Sequence, residues 1–152
     1  MGIGVIIIFR NNEKEISEIK FVESLDQITN LKLCFVNNGS SDDTFDLLKS
    51  IQIKSTSDIA ILDVKKKKKP EAAIRIGARY FYNIQEFKHI GYINACEFSD
   101  FDKLHQVLIT TYASTDLLID IHTNTRRVRQ NLFKNLFSVV DFLKRIHTDP
   151  LD

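Results

Sequence analysis

The sequence contains few of the residues on which several protein classes depend. Its 152 residues include two cysteines, five glycines and no tryptophan, and the formal net charge is +1. Two cysteines far apart in sequence indicate a reduced, cytosolic protein, because disulfide frameworks need more of them. A net charge so close to zero gives no long-range field that attracts nucleic acid, so we expect no nucleic-acid partner.

Long hydrophobic runs are also absent. Residues 4–9 form an apolar run that is too short for the core of a signal peptide, and no basic segment precedes it. No other run is long enough to cross a bilayer. The sequence therefore predicts a cytoplasmic location, with peripheral contact at the inner face of the membrane as a further option.

Several common site motifs are missing. Arg10-Asn11-Asn12-Glu13 follows the first predicted strand, where a dinucleotide fold would carry Gly-x-Gly-x-x-Gly. The sequence has neither a P-loop nor a Gly-x-Ser-x-Gly elbow. The histidines lack the spacing of a metal site; they are His89, His105, His122 and His147.

What the sequence does contain is an alternation of strand and helix patterns. Apolar runs predict five strands at residues 4–9, 31–36, 59–64, 90–95 and 117–121. Helical patterns between them begin at Asn12, near Asp42, at Pro70 and at residue 100, and a last amphipathic helix spans residues 125–146. The predicted fold is α/β, with a mainly parallel sheet and flanking helices. We expect residues 125–152 to pack as a helix and tail on a domain formed by residues 1–124.

The most informative stretch is the loop after the second predicted strand. Asn37, Asn38, Gly39 and Ser40 follow an apolar run and lead directly into a helix, which Ser41 or Asp42 can cap. Open α/β sheets bind ligands outside the carboxyl ends of their strands. A ligand there would meet the amides of Gly39 and Ser40 and the side chains of Asn37 and Asn38.

Three segments together resemble the family 2 glycosyltransferases of the GT-A type, especially their dolichol-phosphate mannose synthase-like branch. They are Val-Ile-Ile-Ile-Phe-Arg-Asn-Asn-Glu (5–13), Val-Asn-Asn-Gly-Ser-Ser-Asp-Asp-Thr (36–44) and Ala-Ala-Ile-Arg-Ile-Gly (72–77). That branch carries Pro-x-x-Asn-Glu, Val-Asp-Asp-Gly-Ser-x-Asp-x-Thr and Ala-Ala-Val-Arg-x-Gly. The resemblance implies a Rossmann-like nucleotide-binding half and a UDP- or GDP-linked sugar as ligand.

The resemblance also implies which residues meet the nucleotide. They are Arg10, Asn12, Glu13, Asn37, Asn38, Gly39, Ser40 and Arg75. Several have a simpler alternative: Asn12 can cap a helix, the asparagine pair can form a turn, and Arg75 can be a surface residue of its helix.

The chain departs from the family at the metal site. The family's Asp-x-Asp binds Mg²⁺ or Mn²⁺, whereas Asn94, Ala95 and Cys96 occupy that place here. Hard cations prefer carboxylate oxygens, so we expect no metal cofactor. Lys67, Lys68 and Lys69, within the lysine run at 65–69, can supply positive charge to a diphosphate instead. The alternative is a solvated turn.

These departures leave two hypotheses about activity. The resemblance implies donor binding, but Thr148-Asp149-Pro150 resembles only the opening of the family's acceptor segment, and no residue is assigned as catalytic. The chain is then either a glycosyltransferase or a non-catalytic pseudo-glycosyltransferase that regulates or assembles with another protein. We expect a homo-oligomer or protein partner at Phe133 and Phe137, with membrane contact as the competing outcome.

Overall fold

The computed structural model describes residues 2–28, 31–84, 87–98, 101–113 and 136–148, in which strands and helices alternate. The strands are β1 (Gly2–Phe9), β2 (Leu31–Asn38), β3 (Asp58–Val64), β4 (Phe87–Asn94) and β5 (Leu136–Ser138). The helices are α1 (Glu18–Asp26), α2 (Thr44–Lys54), α3 (Pro70–Ile84), α4 (Phe101–Ala113) and α5 (Val139–Thr148). A short 3₁₀ helix, Ala95–Glu97, follows β4.

The five strands form one sheet in the order β3-β2-β1-β4-β5, and every pair of neighbours is parallel. β1 lies at the centre, and its residues from Ile3 to Phe9 are buried. A parallel strand that is covered on both faces reads as a continuous apolar run, which is why residues 4–9 were recognisable in the sequence. The predicted α/β class is confirmed.

Helices cover the two faces of the sheet unequally. Successive residues of a strand point to opposite faces, so β1 contributes to both cores. On one face, Val5, Ile7 and Phe9 share a core with α1, α2, α4 and α5; on the other, Ile6 and Ile8 pack against α3. The helix residues in the first core include Phe21, Leu25, Leu48, Ile51, Leu104, Leu108, Phe142 and Leu143, and those in the second are Ala73, Ala78 and Phe81.

A cluster of three aromatic rings lies beneath the end of β1. Phe9 is fully buried and stands 6.2 Å from the ring of Phe21 and 5.2 Å from that of Phe35, both in edge-to-face geometry. Such pairs add stability beyond their buried area. The phenylalanine that replaces the proline of the resembled motif therefore belongs to the core.

Close packing of α3 depends on Gly77. A Cβ atom at this position would lie 2.8 Å from the Cγ2 atom of Ile6, which is too short for a real contact. The absence of a side chain lets the helix backbone approach β1 closely.

The prediction that Asn12 caps the first helix is wrong. α1 begins at Glu18, and its N-cap is Ser17, whose side chain accepts a hydrogen bond from the Lys20 N–H at 3.5 Å. Asn12 instead begins a turn, in which its carbonyl accepts from the Glu15 N–H at 3.1 Å. The helix buries Phe21 and leaves Ile19 74% exposed.

The prediction of one helix over residues 125–146 is wrong where the structure describes it. Leu136, Phe137 and Ser138 form β5, and their register partners are Ile90, Gly91 and Tyr92 of β4. An apolar run this short fits a strand as well as a helix, and the free edge of β4 offers it backbone hydrogen bonds. The helix α5 begins directly after the strand.

This correction changes the predicted partner surface. Phe137 does not lie on an exposed helix face; it is partly buried in β5, and its ring lies 6.2 Å from the ring of Phe142. Phe133, the predicted strand at 117–121 and residues 125–135 of the predicted helix lie outside the described residues. In the described part of the chain, none of the helices combines the length and the apolar character needed to cross a bilayer.

Candidate functional site

The carboxyl ends of β1, β2, β3 and β4 meet at one edge of the sheet, because all four strands run in the same direction. Almost all of the predicted site residues lie at these ends or in the segments that follow them. They are Arg10, Asn12, Glu13, Asn37, Asn38, Gly39, Ser40, Lys67, Lys68, Lys69, Asn94, Ala95 and Cys96. Arg75 is the exception, since it is exposed on the second turn of α3 and no hydrogen bond to the other residues is present in the described segments.

The loops after β1 and β2 are bonded to each other. The Asn11 N–H donates to the Ser40 hydroxyl at 3.0 Å, and the Asn11 side-chain oxygen accepts from the Ser41 N–H at 2.7 Å. Asn11 has a φ of 53°, a left-handed conformation that asparagine tolerates better than most residues. These contacts fix the first loop against the second, so the edge has a preformed shape.

Asn12 is buried and serves the same junction. Its N–H donates to the Thr44 hydroxyl at 2.9 Å, while its side-chain oxygen accepts from the Arg10 N–H at 2.7 Å. Thr44 is the first residue of α2 and is itself fully buried. Asn12 therefore ties the end of β1 to the start of α2.

Carboxylates surround the beginning of α2. Glu13 accepts from the Asp43 N–H at 3.2 Å, and Asp42 accepts from the Thr44 N–H at 3.0 Å. Burial raises the pKa of Asp42, but hydrogen bonds from the Thr44 hydroxyl and N–H outweigh it and bring that pKa below the ordinary value. Glu13 keeps a second carboxylate oxygen that can accept further hydrogen bonds.

The side chain of Asn37 connects β2 to β3. It donates to the Asp63 carboxylate at 2.9 Å and accepts from the Ser40 hydroxyl at 2.6 Å. The hydrogen bond from Lys65 is the main reason that the pKa of Asp63 lies below its ordinary value, and the one from Asn37 adds to it against the effect of burial. Sequence reasoning missed Asp63, because its position opposite Asn37 depends on the register between β2 and β3.

Asn38 holds the lysine segment in place. Its amide nitrogen donates to the Lys68 carbonyl and its oxygen accepts from the Lys68 N–H, both at 2.9 Å. Gly39 lies beside the same segment with a φ of +64°, and a Cβ atom there would come within 2.4 Å of the Lys67 nitrogen. The Gly39 N–H donates to the Val64 carbonyl at 2.8 Å, so it is used within the fold instead of facing a ligand as predicted.

The lysine side chains contrast with this fixed backbone. All five side chains from Lys65 to Lys69 are exposed. Lys65 forms an ion pair with Asp63 at 2.6 Å. The segment therefore presents positive charge to solvent from a backbone that Asn38 and Gly39 hold.

The residues at the expected metal position do not fit Mg²⁺ or Mn²⁺. Asn94 offers one neutral oxygen, which already accepts the Cys96 N–H at 3.0 Å. Ala95 is buried, and Cys96 presents a soft thiol that donates to the Arg10 carbonyl at 3.5 Å. Among the described residues, no group of three or more His, Cys, Asp or Glu side chains is arranged to hold a metal ion.

Comparison with solved structures identifies similar folds. Three of them are crystal structures of residues 1–349 of TarS from S. aureus, which is a GT-A-type family 2 glycosyltransferase. The structure with UDP has a TM-score of 0.56 and 17% identity, and it matches 88% of this chain and 40% of that one. Two further TarS structures, one of residues 1–349 alone and one with UDP-GlcNAc, each have a TM-score of 0.55 and 18% identity, and each matches 88% of this chain. The match covers 40% of the first and 38% of the second.

These matches are informative about architecture. This chain spans about 40% of the length of the TarS structures. No protein-family model matches the sequence, and the comparison with curated proteins found no match. At 17–18% identity the likeness extends to the fold, not to the ligand or the reaction. The chain therefore has the Rossmann-like α/β architecture of the GT-A-type glycosyltransferases.

Proposed function

We propose that this chain binds a nucleotide-diphosphate sugar, UDP- or GDP-linked, at the carboxyl edge of its sheet. The observation that carries the proposal is the convergence there of the loops after β1 and β2, in a fold shared with structures that contain UDP and UDP-GlcNAc. The dolichol-phosphate mannose synthase-like branch rests on the sequence motifs alone, because the fold comparison does not distinguish branches.

Glu13 is the side chain that we assign to the sugar hydroxyls of the nucleoside. One carboxylate oxygen is held by the Asp43 N–H at 3.2 Å, which orients the group, and the other has capacity to accept from a ribose. A charge-assisted hydrogen bond of this kind contributes roughly 1.5–3 kcal/mol. The side chain is half-buried, so a ligand can reach it.

Calorimetric titration of UDP, GDP and UDP-GlcNAc into the wild type and two variants tests this assignment. Glu13→Gln keeps an oxygen for the Asp43 N–H but removes the charge, and we expect it to weaken binding about tenfold, or 1.4 kcal/mol. Glu15→Gln is the matched control, because Glu15 is exposed in the same turn. Equal weakening by both variants would contradict the role of Glu13, and absence of any nucleotide binding would refute the proposed function.

Transfer of the sugar is a separate question, and we propose that this domain binds its donor without transferring it. Asn94, Ala95 and Cys96 support this view, because they lack the carboxylates with which the resembled family holds its cation. Donor hydrolysis in the presence and absence of Mn²⁺ is the direct measurement. Release of sugar above the rate of a heat-denatured sample would identify the chain as an enzyme instead.

A further inference from the structure

The side chain of Arg10 has a buried polar atom that the fold does not satisfy. Its Nε is buried and has no hydrogen-bond partner among the described residues. Buried donors are almost always paired, because an unpaired one costs about 1–3 kcal/mol, and more when the group is charged. An arginine in this state is suited to a ligand that supplies the missing acceptor.

Arg10 is also adjacent to the place where the resembled family holds its metal. It follows β1, which pairs directly with β4, and Ile8 lies opposite Asn94 in that pair. The Cys96 thiol donates to the Arg10 carbonyl at 3.5 Å. The backbone of Arg10 therefore touches the Asn94–Cys96 segment.

The described residues leave the charge of Arg10 unbalanced. The ion pairs in this part of the chain join Lys32 to Asp58, Lys54 to Glu18 and Lys65 to Asp63. Arg10 takes part in none of them. Its guanidinium therefore brings to this edge a positive charge that none of these ion pairs uses.

The lysine run is less well placed for the same task. Lys67 and Lys68 are held against Gly39 and Asn38 at the end of β2, which is separated from β4 by two strand spacings, or roughly 10 Å. β1 and β4 are neighbours, about 4.8 Å apart. Lys65 is in addition already paired with Asp63.

We propose that the Arg10 guanidinium binds the diphosphate of the nucleotide in the place that a divalent cation occupies in the resembled family. This inference rests on the proposed function. A guanidinium donates two parallel hydrogen bonds to phosphate oxygens, and it supplies the positive charge that Asn94 and Cys96 cannot recruit as a metal ion. Nucleotide binding is then independent of divalent metal.

The test compares a nucleoside diphosphate with its monophosphate in EDTA. UDP and UMP, and likewise GDP and GMP, are titrated calorimetrically into the wild type, Arg10→Gln, Arg10→Lys and Arg79→Gln. Arg79 is exposed on α3 and serves as the matched control for loss of one arginine. Circular dichroism melting of each variant establishes that it is folded.

We expect the wild type to bind its preferred diphosphate in EDTA, with less than a twofold change when Mn²⁺ is added. Arg10→Gln should reduce the ratio of diphosphate affinity to monophosphate affinity about tenfold, or 1.4 kcal/mol. The preference of Arg10→Lys should fall between those of the wild type and Arg10→Gln, because lysine keeps the charge but loses the paired donors. If Arg10→Gln does not fold, the comparison of Arg10→Lys with the wild type is the test. Arg79→Gln should match the wild type.

The possible failures are distinguishable. An unchanged preference for the diphosphate in both Arg10 variants would overturn the role of Arg10 while leaving the proposed function intact. Tightening by Mn²⁺ of tenfold or more in the wild type would overturn the replacement of the metal. If the wild type binds none of the four nucleotides, both this inference and the proposed function are refuted.

Discussion

The two halves of the carboxyl edge treat their polar groups differently. The β2–β3 half, formed by Asn37, Asn38, Gly39, Asp63 and Lys68, is bonded within itself, and both asparagine side chains are engaged. In the β1–β4 half, formed by Arg10, Asn94 and Cys96, a guanidinium nitrogen is buried without a partner among the described residues and a thiol is exposed.

This difference indicates that the two halves have different roles. A fully bonded half provides shape, because its loops cannot move without breaking several hydrogen bonds at once. Under the proposed function, a half with an unsatisfied donor would provide affinity, because a ligand would gain interactions there that the empty protein does not have. Perturbation of the first half should therefore reduce the stability of the fold, and perturbation of the second should change ligand binding.

The largest expected effect on the β2–β3 half is that of Gly39→Ala. The new Cβ atom would lie 2.4 Å from the Lys67 nitrogen in a residue with a φ of +64°, so strain and displacement should cost about 3 kcal/mol or more. Urea unfolding measures the loss. Lys67→Ala is the control, because it removes an exposed side chain but no backbone, and it should stay within about 0.5 kcal/mol of the wild type. A Gly39→Ala variant as stable as this control would contradict the close approach.

A charge swap within the same half should have the next largest effect. Asn37→Asp places a second carboxylate beside Asp63, where the amide now donates at 2.9 Å, and should destabilise the fold by about 2 kcal/mol at neutral pH. The destabilisation should shrink as the pH falls, because the shared proton relieves the repulsion. Asn37→Asp combined with Asp63→Asn restores one donor and one acceptor, so thermal unfolding of the double variant should approach that of the wild type. Additive losses in the double variant would show that the two side chains do not interact.

The β1–β4 half should accept a metal site when the missing carboxylates are supplied. In Asn94→Asp/Cys96→Asp, two hard oxygen ligands return to the end of β4. We expect Mn²⁺ to tighten diphosphate binding about tenfold, or 1.4 kcal/mol, in this variant alone. Isothermal titration with Mn²⁺ and with EDTA measures the gain, and Asn94→Asp provides the single-ligand control. A variant whose affinity ignores Mn²⁺ would mean that this segment does not face the diphosphate.

Changing Lys67, Lys68 and Lys69 to serine should have a smaller effect on binding. These side chains are exposed, so their attraction to a diphosphate is screened, and we expect about threefold weaker binding at low salt, within the 0.2–1 kcal/mol of exposed charge pairs. The dependence of affinity on salt should flatten, while the unfolding midpoint should hardly move. If the variant's affinity equals that of the wild type at every salt concentration, the lysine run is only a solvated turn.

The smallest expected effect concerns acid stability. The pKa of Asp63 is lowered chiefly by the hydrogen bond from Lys65, so its charged form favours the folded state. That contribution is present above the unfolded pKa of about 3.9 and is lost as the pH falls through the lower folded value. Asp63→Asn should therefore show a flatter decline of unfolding free energy below about pH 4 than the wild type. Parallel acid profiles would show that Asp63 contributes nothing to it.

The sequence predicted the first four strands of the sheet better than the last one. Apolar runs identified β1 to β4, and the runs in β1 and β2 are nearly continuous because parallel strands covered on both faces are buried throughout. β5 was missed because three residues carry no periodicity, and their identity as a strand depends on the free edge of β4. The start of α1 was also misplaced. Asn12 is a residue type that often caps helices, but here it is hydrogen-bonded to Thr44 and Arg10 instead.

The sequence also predicted which residues gather at the edge, but not what they do there. Parallel strand direction was enough to bring Asn37, Asn38 and Cys96 to one side of the sheet. It could not show that Asn38 is bonded to a backbone thirty residues away, or that Asp63 faces Asn37. Such pairings depend on the register between strands, which a single sequence does not specify when both faces are buried.

The contrast between the two cysteines has a practical consequence. Cys34 is buried in β2, and burial raises the pKa of its thiol to about 12, whereas Cys96 is exposed at the carboxyl edge. Thiol reagents attack thiolates that they can reach. The natural sequence thus behaves as a single-cysteine protein, and a fluorophore or spin label attached by maleimide chemistry would sit beside Arg10 without any prior mutagenesis.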